Sequence, residues 1–538
     1  MMEAADNSQA MTERRQAADG QNTYGSSGHR VRQITYLLLI VLTVGMVAGR
    51  ILAVTAVDVA VVEKIRLREA VDRQREQLKL RGVQGANLEA ALQEFRAKKS
   101  KELRLSRPFL SANDRSRWCT IRALVDDGTY AIDQIVTNPE EYARWQTIDM
   151  VKHASSGQPH LYSSKPTLLP TLLAGEYFLI QKLTGWTLAE HPFQVVRSML
   201  LLTNIPIIIL MLILLSRIVE KLGASDWGRI TVMAMASFGT FLTTFAVVLN
   251  NHLIAAACVM VAFYAAVNVW IDGKRETRWV LIASLFSALA MAIDLPAGLL
   301  LGVLGIGFLY TLPRATLLVG VPVVLAVAGV AVGTNYIAHR TVLPPYAYRT
   351  AGQDWQADNW YVYDYQVGSR VISSYWNTDA ESMVSRSKID RGETSRSEYI
   401  FHSLVGHHGL FSLTPMWLLS LAGMMAMLIR RVTPSLRSLG IVILLVSLGC
   451  LAFYFSLAEE ARNYGGMTSG PRWFFWLIPL WLVALIPAAD WSAVNRRRKV
   501  AILLLLFFSV LSASYPTWNP WTQPWLYDAA LHFDWLQK

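Results

Sequence analysis

The sequence predicts an all-α polytopic membrane protein with about eleven transmembrane helices. The 538-residue chain is 53% hydrophobic and only 17% charged, with a mean hydropathy of +0.31. Its apolar residues are gathered into runs of about 15–25, the length that a helix needs to cross a bilayer. Short segments that are basic, or rich in tryptophan and tyrosine, separate these runs. A single soluble core could not bury so much apolar surface, so a water-soluble enzyme is excluded.

The net charge limits the binding partners that we expect, and the number of cysteines limits the possible disulfide and metal chemistry. The formal net charge is +11 and the pI is near 9.5, but much of the basic excess lies at the ends of apolar runs. We therefore expect membrane lipids as partners and no nucleic acid. Cys119, Cys258 and Cys450 are the only cysteines, and the last two lie inside apolar runs. A disulfide framework and a cysteine metal cluster are both excluded.

The chain begins with a predicted tail and a predicted membrane anchor. Residues 1–33 are polar and contain several arginines, which predicts a disordered cytoplasmic tail. Residues 34–54 form an apolar run that is too long for the core of a signal peptide, which predicts a retained transmembrane helix. Residues 55–192 should then form an external loop.

This external loop has predicted helical parts. Residues 63–107 are highly charged, and Gly82 and Gly85 divide them into two helix-forming stretches, which predicts an inserted helical hairpin. Residues 165–186 contain proline, glycine and charged residues among leucines. This composition favours a juxtamembrane helix that lies in the interface over one that crosses it.

Two further blocks, residues 193–337 and 410–514, are predicted to be transmembrane, because basic internal loops alternate with external ones. A proline and a carboxylate in mid-run favour a turn, so two short spans should meet at Asp294-Leu295-Pro296. The predicted spans are 34–54, 193–216, 230–249, 253–271, two within 279–313, 316–335, 410–429, 439–457, 473–488 and 500–514. Residues 338–409 should form a large external aromatic loop, and residues 515–538 an external tryptophan-rich tail.

Several motifs in the first external loop follow one another in a fixed order. Asn113-Asp114 is followed by Arg122, by Gly128-Thr129-Tyr130 and later by Lys165-Pro166 before a leucine-rich stretch. This order resembles the first external loop of the GT-C glycosyltransferases, the superfamily of the protein O-mannosyltransferases and the lipid A aminoarabinose transferases. The stretches SSKPTLLPTLLAGEY, HHGLFSLTP and NYGGMTSGPRW are most similar to bacterial members.

The extent of the resemblance differs between architecture and motifs. The architecture is similar over residues 34–490, whereas the residue motifs cover only 113–130 and 163–177. The chain has one acid where the superfamily usually has two adjacent acids, and Thr167 replaces the second proline of its Lys-Pro-Pro-like element. The charged hairpin is an apparent insertion. The single acid puts a metal site built on paired carboxylates in doubt.

The resemblance implies an enzyme that moves a sugar from a polyprenyl-phosphate donor to an acceptor hydroxyl on the external face. The acceptor, which could be a lipid, a glycan or a protein, and the sugar itself are left open. It also implies a multi-pass protein of the bacterial inner membrane with its active site on the periplasmic side. The subunit number is not determined by the sequence.

A carboxylate near the membrane surface can take the proton of an acceptor hydroxyl as a general base. The resemblance assigns this role to Asp114. Asp149 is the second candidate, either as the base or as a group that positions the acceptor. A single displacement inverts the anomeric centre and needs no covalent intermediate. For either residue the alternative is an ordinary solvated or helix-end carboxylate.

The phosphate that leaves needs cations at the outer membrane face. Lys165, Arg462 and Arg472 are candidates, and Arg122 belongs to the motif that carries the resemblance. Arg472 follows a glycine-rich stretch, where the backbone can approach a ligand closely. The alternative for Arg472 is an arginine that snorkels from a helix end.

Aromatic residues and histidines of the large external loop complete the predicted site. Trp360 and Tyr363 could stack on a sugar, with an interfacial aromatic belt as the alternative. His408 lies close to His402 and His407 in the sequence and could bind phosphate or a divalent metal. Hydrogen bonding or packing is the alternative, because the spacing is not a standard ligand pattern. No cofactor is required by the sequence, and a divalent metal stays open.

Two other classes of function remain. A transporter or flippase for a lipid-linked substrate also needs many spans and phosphate-binding cations, but it would place charges near the middle of broken helices. Only Asp294 is a candidate of that kind. An envelope oligosaccharide ligase or polymerase would depend chiefly on external arginines and histidines.

Overall fold

The computed structural model describes residues 2–54, 60–102, 107–155, 157–377, 393–429, 432–516 and 519–535. The described chain is mainly helical, with two short two-stranded sheets. Of its helices, six are long and apolar enough to cross a membrane: Gly28–Ala53, Pro192–Leu222, Asn251–Trp270, Pro313–His339, Pro434–Phe455 and Arg472–Ser492. Shorter apolar helices are Thr277–Ile293, Leu295–Thr311 and Met416–Leu428. The fold is that of a multi-pass α-helical membrane protein, as the composition predicts.

Helix α1 (Met2–Ala53) opens the chain. Its apolar part, Gly28–Ala53, contains the first predicted span. Helix α1 includes the backbone of the predicted tail, but the side chains before Gly28 lie outside the described residues, so the disordered tail stays a prediction.

The predicted helical hairpin is confirmed as α2 (Ala60–Leu80) and α3 (Gly85–Glu102). Gly82 and Gly85, which make the turn, have φ values of 80° and 62°, a region that glycine enters without a steric cost. A small apolar cluster centred on Val71, Leu88 and Leu92 is buried between the two helices. The hairpin therefore has a core of its own.

The described residues between 107 and 184, for which the sequence predicts an external location, form a compact unit that we call the external region. It contains α4 (Ala112–Asp126), α5 (Asp133–Val136), α6 (Tyr142–Trp145), β1 (Met150–His153), β2 (His160–Ser163) and α7 (Leu168–Thr184). Strands β1 and β2 pair antiparallel, with Met150 opposite Ser163. Helix α4 packs against α7. Helix α7 lies within the segment for which the sequence predicts an interfacial helix.

The next elements are α8 (Pro192–Leu222), α9 (Asp226–Ala234), α10 (Phe241–Phe245) and α11 (Asn251–Trp270). The span predicted at 230–249 is wrong as a single helix, because a π-helical turn at Met235–Gly239 and a bend at Thr240 interrupt it. The Asn204 side chain of α8 donates hydrogen bonds to the carbonyls of Ala246 and Val248. The hydropathy of a sequence does not reveal such a break. A break is tolerated where other parts of the protein satisfy the hydrogen-bonding groups of the backbone.

The predicted hinge at Asp294-Leu295-Pro296 is confirmed. Helix α12 (Thr277–Ile293) ends there, a 3₁₀ turn follows at Leu295–Ala297, and α13 (Gly298–Thr311) begins. A short α14 (Pro313–Ala315) and a π-helical turn lead into α15 (Val321–His339).

The late part of the chain contains a second hairpin and further helices. They are β3 (Asp364–Val367), β4 (Arg370–Ser373), α16 (Arg396–Leu404), α17 (Leu410–Leu413), α18 (Met416–Leu428), α19 (Pro434–Phe455), α20 (Ile478–Ser492), α21 (Arg496–Ser514) and α22 (Trp525–His532). A 3₁₀ turn at Arg472–Leu477 precedes α20. Residues 378–392 of the predicted aromatic loop and the basic residues Arg430 and Arg431 lie outside the described residues.

The spans differ in how deeply they are buried. The most apolar windows of α11 and of Arg472–Ser492 are 78% and 83% buried, so these helices form the centre of the bundle. The corresponding window of Pro313–His339 is only 11% buried and exposes large side chains such as Leu318 and Leu325. An exposed apolar face of this length is typical of contact with lipid.

One end of the bundle carries a network of ion pairs. Lys221, at the end of α8, pairs with Asp272, which also pairs with Lys274. Arg32 of α1 donates to both carboxylate oxygens of Glu220 at 2.9 and 3.0 Å. These basic residues lie at or near the ends of the long apolar helices.

Candidate functional site

Asp149 and Lys165 meet at the open end of a β-hairpin. Asp149 directly precedes β1, and Lys165 follows β2 by two residues, so the antiparallel register brings them together. Lys165 Nζ donates to Asp149 Oδ1 at 2.8 Å. The other oxygen, Asp149 Oδ2, accepts no hydrogen bond from a described residue, and the side chain is 17% exposed. Asp149 therefore has an oxygen available to a ligand.

Arg117 points from α4 towards the bundle. It is buried, and its Nη1 donates to the carbonyl and the side-chain oxygen of Asn113. Its Nη2 donates to Asn251 Oδ1 at 2.8 Å, which joins the external region to the first residue of α11. Burial lowers the pKa of Arg117, although an arginine stays protonated in proteins.

Asp294 and His252 form a buried pair between two helix ends. Asp294 follows the last residue of α12, and His252 lies in the first turn of α11. His252 Nδ1 and Asp294 Oδ2 are hydrogen-bonded, and the Asn251 Nδ2 amide lies 3.5 Å from the same oxygen. The hinge that the sequence predicts is thus what brings this carboxylate to α11.

Arg472 begins the most buried span. Its Nε donates to the carbonyl of Gly465 at 2.8 Å, its Nη1 lies 3.4 Å from His252 Nε2, and its guanidinium lies over the ring of Trp521. Gly465 has φ 92°, and a Cβ there would lie 2.9 Å from Arg472 Nε. The glycine therefore lets the backbone approach Arg472 closely, whereas the predicted approach of this stretch to a ligand stays a prediction.

The two arginines lack carboxylate partners. Among the described residues, no carboxylate oxygen lies within the 4.0 Å ion-pair distance of Arg117 or Arg472. Asp149 and the half-exposed Tyr346 nevertheless interact electrostatically with both arginines, and Asp114 and Asp294 also interact electrostatically with Arg117. Buried charges are normally paired or bind a ligand. This arrangement suits an anion that enters beside Asp149.

Asp114 has a different environment. Its Oδ1 accepts from the backbone of Ser111 and Arg115 and from Ser111 Oγ, and its Oδ2 accepts from the amide of Leu110. With Ser111 it forms the capping box of α4, and it is 1% exposed. Burial raises the pKa of Asp114, against the effect of these donors and of Arg115. The side chain predicted as the base thus caps a helix with both oxygens engaged.

Two predicted phosphate ligands are engaged elsewhere. Arg122 Nη1 donates to Glu141 at 2.8 Å, and its Nε lies 3.4 Å from Asp126. Arg462 donates to three backbone carbonyls, those of Leu457, Glu393 and Thr394. Neither residue is among the described contacts of Asp149, Arg117 or Arg472. The structure therefore does not bring Arg122 and Arg462 into this cluster.

The predicted sugar-stacking aromatics are buried. Trp360 is 4% exposed and stacks on Tyr348 and His153, with ring centroids 3.7 and 4.1 Å apart. Tyr363 is 3% exposed, and burial raises the pKa of its hydroxyl. Both ring faces of Trp360 are occupied, so neither residue presents a platform for a sugar.

His408 packs within an aromatic cluster. It stacks on Tyr464, lies against His407, and is 2% exposed, and burial lowers its pKa. Among the described residues no three side chains of His, Cys, Asp or Glu are grouped so that they could hold a metal ion. Packing, the alternative reading of the histidines, fits this geometry.

Arg117 was not predicted from the sequence as a binding residue, and His252 and Asp294 were not predicted to share a cluster with Asp149. The signal for Arg117 is weak, because it is one of several arginines in NDRSRWCTIR. A sharper signal was the pairing of Asn251-His252, at the external start of a span, with the carboxylate at the predicted hinge.

The fold and this cluster define a multi-pass α-helical membrane protein with a buried polar site at one end of its bundle. Comparison with family models gives no match, and comparison with curated protein sequences gives none either.

Proposed function

We propose that this chain is an integral-membrane glycosyltransferase of GT-C-like arrangement, which moves a sugar from a polyprenyl-phosphate donor to an acceptor hydroxyl. The observation that supports the proposal best is the pair of arginines, Arg117 and Arg472, which contact the adjacent residues Asn251 and His252 and lack an ion-pair partner among the described residues. Asp149 interacts electrostatically with both. A guanidinium binds phosphate oxygens through a planar pair of donors. The two arginines would hold the donor phosphate, with Lys165 nearby.

The base in this proposal is Asp149 rather than Asp114. Asp149 Oδ2 is without a hydrogen bond from the described residues, whereas both oxygens of Asp114 are occupied by helix-cap donors. Asp149 Oδ2 would take the proton of the acceptor hydroxyl. The acceptor oxygen then bonds to the anomeric carbon, and the bond from that carbon to the phosphate oxygen breaks with its electron pair leaving on the lipid phosphate. The single displacement inverts the anomeric centre.

The proposed reaction takes place on the external face. The start of α11, the end of α12 and Arg472 lie at the end of the bundle opposite to the Lys221–Asp272 network. That network carries the basic residues expected on the cytoplasmic side. The proposal therefore includes about eleven spans, a bacterial inner membrane and a periplasmic active site.

The position of Asp294 favours an enzyme over a transporter. A transporter would place a functional carboxylate near the middle of a broken helix. Asp294 instead stands at the end of one apolar helix and pairs with the first turn of another. Asp294 contacts His252 and Asn251, which in turn contact Arg472 and Arg117. The donor phosphate would bind at these two arginines.

The test is turnover of a donor panel by purified protein. Radiolabelled polyprenyl-phosphate sugars are supplied singly, with cell-envelope extract as the source of acceptor, and release of free lipid phosphate is measured. We expect release with at least one donor, and loss of that release in Asp149→Asn. If no donor is consumed and reconstituted protein moves an intact lipid-linked sugar across a vesicle bilayer, the transporter class is correct and the proposal fails.

A further inference from the structure

We infer that Asp294 is a positioning residue that holds Arg117 and Arg472 together as a clamp for one phosphoryl group. It would act on Arg117 through Asn251 and on Arg472 through His252. This inference rests on the proposed function, because it takes the donor phosphate as the ligand of the clamp. It concerns residues that touch neither the sugar nor the acceptor.

The hydrogen-bond polarity of the His252 contact is fixed by the arginine. A guanidinium can only donate, so Arg472 Nη1, 3.4 Å from His252 Nε2, requires that this nitrogen be the acceptor. The proton of the neutral imidazole is then on Nδ1, where it is donated to Asp294 Oδ2. The carboxylate therefore selects the tautomer that can receive Arg472.

The orientation of the neighbouring Asn251 side chain is selected in the same way. Asn251 Oδ1 accepts from Arg117 Nη2 at 2.8 Å, so its Nδ2 amide is turned to the other side, where it lies 3.4 Å from the carbonyl of Ile293 and 3.5 Å from Asp294 Oδ2. The amide orientation that suits the carboxylate is the one that presents an acceptor to Arg117. The adjacent residues Asn251 and His252 thus connect the Asp294 carboxylate to two arginines from different parts of the chain.

The two arginines keep donors for a ligand. Arg472 uses Nε for Gly465 and Nη1 for His252, and its Nη2 donates to no described residue. Arg117 uses Nη1 for Asn113 and one direction of Nη2 for Asn251. If Asp294 contacted either guanidinium directly, it would compete with a phosphate. Because it acts through neutral side chains, it orients the cations without neutralising them at the contact.

The charged and titratable groups around His252 agree with a neutral imidazole. Asp294 faces it from the end of α12, Arg472 from the turn before α20, and Arg117 from α4, and the Phe475 ring covers its edge. A proton on Nε2 would place a positive charge against Arg472. The clamp is thus formed only with the singly protonated histidine.

A double-mutant cycle on ligand affinity tests the inference. The probe is farnesyl methyl phosphate, a lipid phosphodiester with one negative charge throughout the working pH range, and its affinity for full-length purified protein is measured. Both single variants, His252→Phe and Arg472→Ala, should weaken binding about tenfold, and the double variant should be no weaker than Arg472→Ala. His252→Gln, which keeps one donor and one acceptor, should bind within about threefold of the unaltered protein.

Control variants separate the outcomes. His339→Phe alters another buried histidine, without contact to the arginines, and should leave the affinity unchanged. Asp294→Leu, which is similar in size but removes the acceptor for His252 Nδ1–H, should weaken binding by the same route. Additive losses in the cycle, or equal losses in the Gln and Phe variants, overturn the positioning role while leaving the proposed function standing. No binding of the probe by folded unaltered protein overturns both.

Discussion

Lys165 Nζ lies 2.8 Å from Asp149 Oδ1, across the open end of the hairpin formed by β1 and β2. The pair connects the Lys-Pro motif of the sequence with the acid that the sequence placed second. It also orients the Asp149 carboxylate with its other oxygen open to a ligand. The reaction we propose is built around this oxygen, and the predictions below separate it from the roles of neighbouring charges.

Asp114 is expected to be a stability residue. Asp114→Ala removes the reciprocal bonds of the α4 capping box, which should lower the free energy of unfolding by about 1–2 kcal/mol. Thermal unfolding followed by tryptophan fluorescence measures this loss. Below the unfolding transition, the variant should release lipid phosphate within about threefold of the unaltered rate. If the variant is inactive and its stability is unchanged, Asp114 is the general base instead of Asp149.

Arg117→Met should separate ligand binding from stability. Its charge has no carboxylate partner among the described residues, so the variant should bind farnesyl methyl phosphate at least about tenfold more weakly. It also loses the hydrogen bonds to Asn113 and Asn251, so its melting temperature should fall about as far as that of the control variant. Arg462→Met is the matched control, because Arg462 satisfies three carbonyls. That variant should melt earlier and still bind the probe. Unweakened binding by Arg117→Met would show that Arg117 is structural.

The external region should lose stability in acid because of His153. Burial lowers the pKa of His153 to about 4, while the unfolded chain titrates near 6.5, so its contribution is complete above 6.5 and is lost as the pH falls towards 4. Between pH 7 and 5 we expect a loss of about 2 kcal/mol from this residue. His153→Phe, which keeps the stack on Tyr162 and Trp360, should reduce the pH slope by that amount. The exposed His532→Phe should leave the slope unchanged, and an equal slope in both variants would contradict the assignment.

The α2–α3 hairpin should be dispensable for the chemistry. Its buried side chains belong to the hairpin itself. A variant in which a short Gly/Ser linker replaces residues 60–102 should therefore keep the melting temperature of the remaining protein and release lipid phosphate within about threefold. The same assay on the hairpin variant and the full-length chain decides this. Loss of release by a variant that melts normally would assign the hairpin a part in donor or acceptor binding.

Features that depend on local chemistry could be predicted from the sequence. The hinge at Asp294 follows from a proline beside a carboxylate within an apolar run, and the α2–α3 turn follows from two glycines. The break within 230–249 could not be predicted in this way. Asn204 of another helix satisfies backbone carbonyls at the end of this segment, those of Ala246 and Val248, and such contacts between helices are not visible in hydropathy.

In the candidate site, too, some features could be predicted from the sequence and others could not. Lys165, Asp149 and Arg472 were predicted as site residues from the sequence, and the structure pairs the first two. The role of Asp114 as a helix-capping residue was not predicted, although Ser111 stands three residues before it as in a capping box. Arg117 could not be distinguished from Arg115 and Arg122, because which of them points to the bundle depends on how α4 packs.

The rate of lipid-phosphate release by Asp149→Asn, compared with Asp114→Asn in the same assay, tests the central claim most directly. With a donor that the unaltered protein consumes, Asp149→Asn should lose about 10²–10⁴-fold in rate, while Asp114→Asn should stay within about tenfold. Both proteins should be folded at the assay temperature. Near-normal release by Asp149→Asn would contradict the claim.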